Sequence, residues 1–117
     1  MKKRTKKFAL DVIAMSRSIP RDFVSEVILK QLIRSATSVA ANFRASQRGK
    51  SRKDFLYKIN IIEEEADESL FWLEVLNESL PGKELVFQHL LDEANQLTAI
   101  FTAIGRNTKL NDMQKEL

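Results

Sequence analysis

Glycine and proline are scarce in this chain: only three Gly and two Pro occur among 117 residues. These residues supply most sharp backbone turns, whereas Leu, Ala, Glu, Lys and Gln, which favour helix, are plentiful. The composition therefore predicts an all-α protein. The length suits one domain over residues 1–117, with residues 1–5 and about 107–117 expected to fray at its ends.

Apolar residues recur at alternating spacings of four and three, which places them on one face of a helix. The pattern breaks at Pro20, near Gly49 and at Pro81-Gly82, so it predicts four helices. The near-3.5 period favours shallow crossing angles and an antiparallel, up-down-up-down four-helix bundle. The expected buried stripes contain Phe8, Val12, Met15, Ile19, Ser25, Ile28, Leu29, Leu32, Ala36, Val39, Ala40, Phe43, Phe55, Ile59, Ile62, Ala66, Ser69, Leu73, Leu76, Phe87, Leu90, Ala94, Leu97, Phe101 and Ile104.

The helix ends follow from local signals. The first helix is expected to end near Ser18, and the second to run from Asp22 to about Ala45. Ser51 followed by Asp54 is a variant of the capping box, with Asp in place of Glu or Gln. It is expected to open a third helix of about 28 residues, roughly 40 Å long.

Several classes of protein are excluded by composition. Cys is absent, which removes disulfides and thiolate chemistry and fits a reducing cytoplasm. Asp11 and Arg17 interrupt the segment that follows the N-terminal lysines, so a signal peptide is not expected. No stretch approaches the roughly 20 apolar residues of a membrane helix. We expect a soluble, cytoplasmic protein.

No catalytic centre is visible in the sequence. A nucleophile elbow, a phosphate-binding glycine loop and a metal-ligand pair are all lacking, so we expect no enzymatic activity and no cofactor. The acidic run at residues 63–68 resembles carboxylate metal ligands, but His89, the single histidine, lacks the Glu-x-x-His spacing of such sites. We expect no metal. The alternative is that the chain is a four-helix-bundle enzyme whose catalytic site has an unfamiliar arrangement.

Basic residues cluster around the predicted connection between helices two and three. They gather positive charge that would favour a phosphate backbone through counterion release. Few aromatic rings lie between these basic residues, so recognition of a particular base sequence is not expected. The alternative is a solvated connecting loop. A second basic cluster at Lys2 to Lys7 and a net charge of +3 favour the interpretation that these residues bind nucleic acid. The candidate nucleic-acid-binding residues are Arg44, Arg48, Lys50, Arg52 and Lys53, with Lys58 nearby.

Other residues indicate a subunit interface. Phe71 and Trp72 are adjacent, so they project about 100° apart and cannot both occupy one narrow seam. Arg34 is a candidate partner for the acidic run of a neighbouring subunit. The alternatives are an intra-bundle ion pair for Arg34 and an edge-of-core aromatic in a monomer. Small residues also spread around helix two: Ser35, Ala36, Ser38, Ala40 and Ala41.

Three ordered blocks carry a resemblance to a known family: RSATSVAANFR at 34–44, KDF at 53–55 and EEADESLFWLE at 64–74. The chain resembles the four-helix-bundle family of 23S rRNA-intervening-sequence proteins. The match spans roughly Phe8 to Ile104 and is strongest from Ile28 to Leu76. One position departs from the family pattern: Ala45 stands where an acidic residue usually follows the Asn-aromatic-Arg block.

The resemblance implies a small bacterial protein that forms a ring-shaped homopentamer. It also implies kinship with the accessory variability protein of diversity-generating retroelements, which binds a reverse transcriptase and nucleic acid. The sequence thus predicts a homo-oligomeric scaffold or adaptor whose basic surface binds RNA, DNA or a nucleic-acid enzyme. The alternative is a purely structural or protein-binding oligomer.

Overall fold

The structure is a computed structural model, and it describes residues 1–49, 51–80, 82 and 84–116, without the side chains of Glu84 and Glu116. This part contains four α-helices and no strand: α1 Lys2–Ser16, α2 Phe23–Ser46, α3 Arg52–Ser79 and α4 Glu84–Glu116. The bundle measures 55 × 22 × 21 Å. The predicted all-α, up-down-up-down four-helix bundle is confirmed.

Neighbouring helices pack in a closed square. α2 packs against α1 and α3, and α4 packs against α3 and α1, so α1 and α3 lie diagonally opposite each other. Within the described residues, no helix is long and apolar enough to cross a membrane.

Polar residues begin the second and third helices. Asp22 accepts a hydrogen bond from the Ser25 backbone N–H at 2.8 Å, and Ser25 Oγ accepts one from the Asp22 N–H at 3.0 Å. This reciprocal capping box begins α2. At α3, Ser51 Oγ accepts from the Asp54 N–H at 3.1 Å. The expected start of helix three is therefore correct, while the full capping box lies at α2.

The core follows the predicted stripes closely. Phe55 and Ile104 are half-buried and pack against the core, Ala40 is also half-buried, and the other residues expected in the stripes are buried. The rings of Phe43 and Phe101 lie 5.9 Å apart between α2 and α4. Burial of these side chains supplies most of the stabilisation, because apolar surface leaves water along the whole bundle.

A polar pair joins α2 and α3 inside this core. Ser35 and Ser69 are both fully buried, and their Oγ atoms lie 2.8 Å apart. Ser69 Oγ also donates to the Glu65 carbonyl oxygen at 2.8 Å. Since a buried hydroxyl without a partner is costly, this pair favours one register of α2 against α3.

The segments expected to fray are helical in the structure. α1 begins at Lys2, where Arg4 donates to both carboxylate oxygens of Glu93, at 2.9 and 2.7 Å, and to Gln96 at 2.8 Å. α4 continues to Glu116, and its Asp112 accepts from Arg52 at 2.7 Å. These contacts attach both chain ends to neighbouring helices, which local sequence patterns do not reveal.

Candidate nucleic-acid interface

One end of the bundle collects positive charge from three helices. Because the helices alternate in direction, α1 and α3 begin at the end where α2 and α4 finish. We call this the basic end and define it by seven of its exposed cations: Lys2, Lys3, Lys6, Arg44, Arg48, Arg52 and Lys53. The N-terminal lysines and the cluster around the α2–α3 connection thus belong to one surface.

A groove between α1 and α2 shows how closely these two clusters meet. Lys2 and Lys6 on α1 line it together with Arg44 on α2, although they are far apart in the sequence. Its volume is about 300 Å³. We call it the α1–α2 groove, and its remaining lining residues are Ala9, Leu10, Ile13, Thr37, Ala40 and Ala41.

The candidate nucleic-acid-binding residues differ in their availability. Among the described residues, Arg44, Arg48 and Lys53 are exposed and have no carboxylate within 4.0 Å. Arg52 is exposed but pairs with Asp112 at 2.7 Å. Lys50 lies outside the described residues. Three of the five candidates are therefore open to an incoming phosphate.

Lys58 and Ala45 lie near these candidates and are less exposed than they are. Lys58 is half-buried, with Nζ 3.4 Å from Asn42 Oδ1, so its ammonium group is turned toward α2. Ala45, which departs from the family pattern, is half-buried next to Arg44.

Arg34, the candidate interface cation, pairs within its own chain. Its guanidinium lies 3.1 Å from Glu65 Oε2 and also contacts Glu68 Oε2 on α3. Burial disfavours its charge, but the charges of Glu65 and Glu68 outweigh that effect, so the pKa of Arg34 is raised. The structure thus shows the intra-bundle alternative for Arg34, and its role between subunits stays a prediction.

The adjacent aromatics on α3 lie in different environments. Phe71 is 52% exposed, whereas Trp72 is half-buried and packs against the core. Their rings contact edge to face, with centroids 4.9 Å apart. Trp72 Nε1 is buried without a hydrogen-bond partner among the described residues. One aromatic is at the edge of the core, as expected, and the other is available to a partner.

The acidic run of α3 is distributed over several faces, and Glu63 lies on the side next to α4. Glu65 and Glu68 point toward α2 and hold Arg34. Glu64 and Asp67 point outward and belong to an exposed stripe with heptad spacing. We call it the α3 outer stripe, and it consists of Tyr57, Glu64, Asp67, Phe71, Glu74 and Glu78. Reading the exposed heptad positions as well as the buried ones would have found it from sequence.

The carboxylates of the described residues do not assemble into a metal centre. Across the described ranges, no group of three or more His, Asp or Glu side chains is placed to hold a metal ion. His89 lies on α4 with Nε2 3.9 Å from Asp11 Oδ2, away from the acidic run on α3.

Comparison with known proteins confirms the resemblance. Residues 1–103 match the model of the 23S rRNA-intervening sequence protein family. A crystal structure from Bacteroides thetaiotaomicron VPI-5482, described as a protein with unknown function from the S23 ribosomal protein family, superimposes with a TM-score of 0.80. The two chains are 27% identical over 89% of this chain and 96% of that one. No curated protein matches.

Proposed function

The chain belongs to the 23S rRNA-intervening sequence protein family, and from this premise we propose that it is a non-enzymatic, homo-oligomeric scaffold that binds nucleic acid at its basic end. The observation that carries the proposal is the meeting of two basic clusters from distant parts of the sequence. Lys2 and Lys6 share a groove with Arg44, and Arg48 and Lys53 belong to the same end.

Phosphate contact is the form of binding that these residues support. Exposed Lys and Arg side chains without carboxylate partners release condensed counterions from a nucleic acid when they neutralise its phosphates. Arg52 contributes less, because Asp112 already compensates its charge. The cations are not interleaved with a set of aromatic rings, so base stacking and sequence reading are not expected.

Oligomerisation would strengthen this binding without any new contact. Copies arranged in a ring would present several basic ends to one strand, and the linked sites would bind with avidity. The resemblance implies five subunits, and the number stays a prediction here. The lack of Cys agrees with a cytoplasmic site of action, which is also a prediction.

The test is a salt titration of RNA and DNA binding with matched charge reversals. The test variant carries Lys6→Glu, Arg44→Glu and Lys53→Glu, which reverse one exposed cation on each of α1, α2 and α3 at the basic end. The control variant carries Arg17→Glu, Arg21→Glu and Lys30→Glu, which change the net charge equally at exposed positions near the opposite end.

We expect parent and control to bind, with affinity falling steeply as salt rises, by close to one unit of log–log slope per neutralised phosphate. The test variant should lose binding while its helicity and oligomer size stay unchanged. Equal losses in both variants would show that net charge alone matters. A parent that fails to bind at low salt would leave the purely structural or protein-binding oligomer as the better function.

A nucleic-acid enzyme, such as a reverse-transcriptase-like protein, is the second partner class that the resemblance implies. Such a partner would use the same basic end if it is bound through its nucleic acid. A complex that survives nuclease treatment and the test substitutions would instead indicate direct protein contact.

A further inference from the structure

One cation of the basic end is already paired with a carboxylate of the same chain. Arg52, at the start of α3, donates from Nε to Oδ1 of Asp112 on α4 at 2.7 Å. Nε is the one nitrogen of this guanidinium that has a hydrogen-bond partner among the described residues. The two side chains are 54% and 37% exposed. Because the contact is single and lies in water, Arg52 remains accessible to another anion.

A second arginine pair that reaches α4 has a different geometry. Arg4 donates to both carboxylate oxygens of Glu93 and to Gln96, and the side chains of the ion pair are only 34% and 21% exposed. Several hydrogen bonds in a partly buried place hold a side chain more firmly than one exposed contact, which contributes little and is screened by salt. The first pair therefore attaches α1 to α4, whereas the pair at Arg52 can be exchanged for another anion at little cost.

Free cations stand on both sides of the exposed pair. Lys53 follows Arg52 on α3, and Lys109 lies one turn before Asp112 on α4, with Arg106 about one turn farther back. These three cations are exposed, and among the described residues none has a carboxylate within 4.0 Å. Their positive charge raises the local concentration of an anionic partner beside Arg52.

A phosphate diester is well suited to replace the Asp112 carboxylate. Arginine contacts with phosphate are frequently bidentate, with two parallel N–H···O bonds, whereas Asp112 receives one such bond. A single small anion must compete from solution with a carboxylate that is tethered nearby. A polyanion that already contacts Lys53 and Lys109 brings its next phosphate to Arg52 at a high effective concentration.

We propose that Asp112 competes with the nucleic acid for Arg52, so that a phosphate displaces its carboxylate when the basic end is occupied; this proposal rests on the nucleic-acid binding proposed above. In the free protein, Asp112 neutralises Arg52. In the complex, the guanidinium turns to a phosphate and the carboxylate returns to water. Asp112 thereby lowers the affinity of each copy and makes binding depend on several phosphates arriving together.

The experiment compares two substitutions that remove the same charge. Asp112→Asn keeps the size of the side chain and ends the competition. Asp54→Asn is the matched control, because Asp54 is an exposed carboxylate at the same end with no basic group within 4.0 Å among the described residues. Each substitution is also combined with Arg52→Gln. Fluorescence anisotropy of a labelled oligouridylate measures the affinity of the full chain at several salt concentrations, and circular dichroism measures helicity.

We expect Asp112→Asn to bind this RNA roughly two- to fivefold more tightly than the parent at low salt, the range that one exposed ion pair supplies. Its log–log slope against salt should be steeper by up to about one unit, because no carboxylate returns to water and gathers cations again. Asp54→Asn should gain less. After Arg52→Gln, the gain from Asp112→Asn should fall to that of the control, because the contested cation is gone.

The possible failures give different results. A parent that binds no RNA at low salt would contradict the nucleic-acid function and this competition with it. A parent that binds, with Asp112→Asn no tighter, would contradict the competition alone, and a loss of helicity with weaker binding would show that Asp112 anchors the end of α4. Equal gains from Asp112→Asn and Asp54→Asn would show that net charge alone acts. A gain that persists undiminished after Arg52→Gln would show that Arg52 is not the contested cation.

Discussion

The two ends of the bundle share one continuous core but expose different side chains. The basic end exposes lysine and arginine. The opposite end, which we call the apolar end, contains the start of α2 and the start of α4, and besides the cations Arg17, Arg21 and Lys30 it exposes several large apolar side chains. These are Phe23, Val24, Val27, Leu85 and Val86.

The difference shows that surface chemistry and core packing are independent in this fold. Leu76 and Phe87 are buried near the apolar end, as Ile59 and Phe101 are near the basic end. The exposed apolar residues therefore do not reflect a poorly formed core, because they lie outside the buried stripes. A helical bundle needs only one face of each helix for folding, so the other positions are free to differ between its ends.

The two ends are also held together by different interactions. At the basic end, an ion pair joins helices that are distant in sequence, Arg52 with Asp112. At the apolar end, Asp22 caps the helix that it begins. Salt should therefore weaken the contacts of the basic end, and acid should weaken the cap at the apolar end.

The largest expected effect tests whether buried side chains contribute equally to stability toward both ends of the core. Ile62→Ala, nearer the basic end, and Leu73→Ala, nearer the apolar end, should each lower the free energy of unfolding by about 2–5 kcal/mol, because both side chains are fully buried. Lys53→Ala, at an exposed position, should cost far less. Urea denaturation measures all three, and a markedly smaller loss at one buried site would contradict a uniform core.

An intermediate effect is expected at the ion pair that attaches α1 to α4. Arg4 donates to both carboxylate oxygens of Glu93, and its pKa is raised mainly because of that hydrogen bond. Arg4→Gln should lower stability by about 0.2–1 kcal/mol at low salt. The loss should shrink at high salt, where surface charges are screened.

The matched control for this ion pair is Lys3→Gln, since Lys3 is exposed and has no carboxylate within 4.0 Å among the described residues. It should leave the unfolding midpoint nearly unchanged at either salt concentration. If both variants lose the same stability, the effect comes from the general charge of α1, and the contact with Glu93 contributes nothing specific.

The smallest expected effect is a pH-dependent one at the apolar end. The pKa of Asp22 is lowered, chiefly because its carboxylate accepts a hydrogen bond from the Ser25 backbone N–H. A carboxylate with a lower pKa in the folded state stabilises the fold above its unfolded pKa, about 3.9 for Asp. That contribution is lost as pH falls through the folded pKa.

The parent should therefore melt at a higher temperature than Asp22→Asn at neutral pH, and the difference should disappear in acid below the folded pKa. The comparison between two proteins isolates Asp22 from the other carboxylates, which titrate in both. Thermal melts between neutral and strongly acidic pH measure it. A melting difference that does not change with pH would show that the charge of the cap has no role.

The elements of the fold were predictable from the sequence because helix formation and helix ends are local. The three–four spacing of apolar residues identified the buried faces, including small members such as Ala36 and Ala94. Ser51 marked the start of α3, since an N-cap hydroxyl needs a partner only three residues away. Periodicity also requires each helix to bury its stripe against the others, so the bundle followed from the same pattern.

The state of each surface charge was decided by the tertiary structure. Sequence spacing could not show that Arg52 meets Asp112, that Arg34 contacts Glu65 and Glu68 of its own chain, or that Lys2 and Lys6 lie around one groove with Arg44. Such contacts join residues on different helices and depend on the direction, register and side-chain conformation of both. The sequence by itself determined which faces are buried, because that property is periodic along one helix. Only the packed bundle decided which cations remain free.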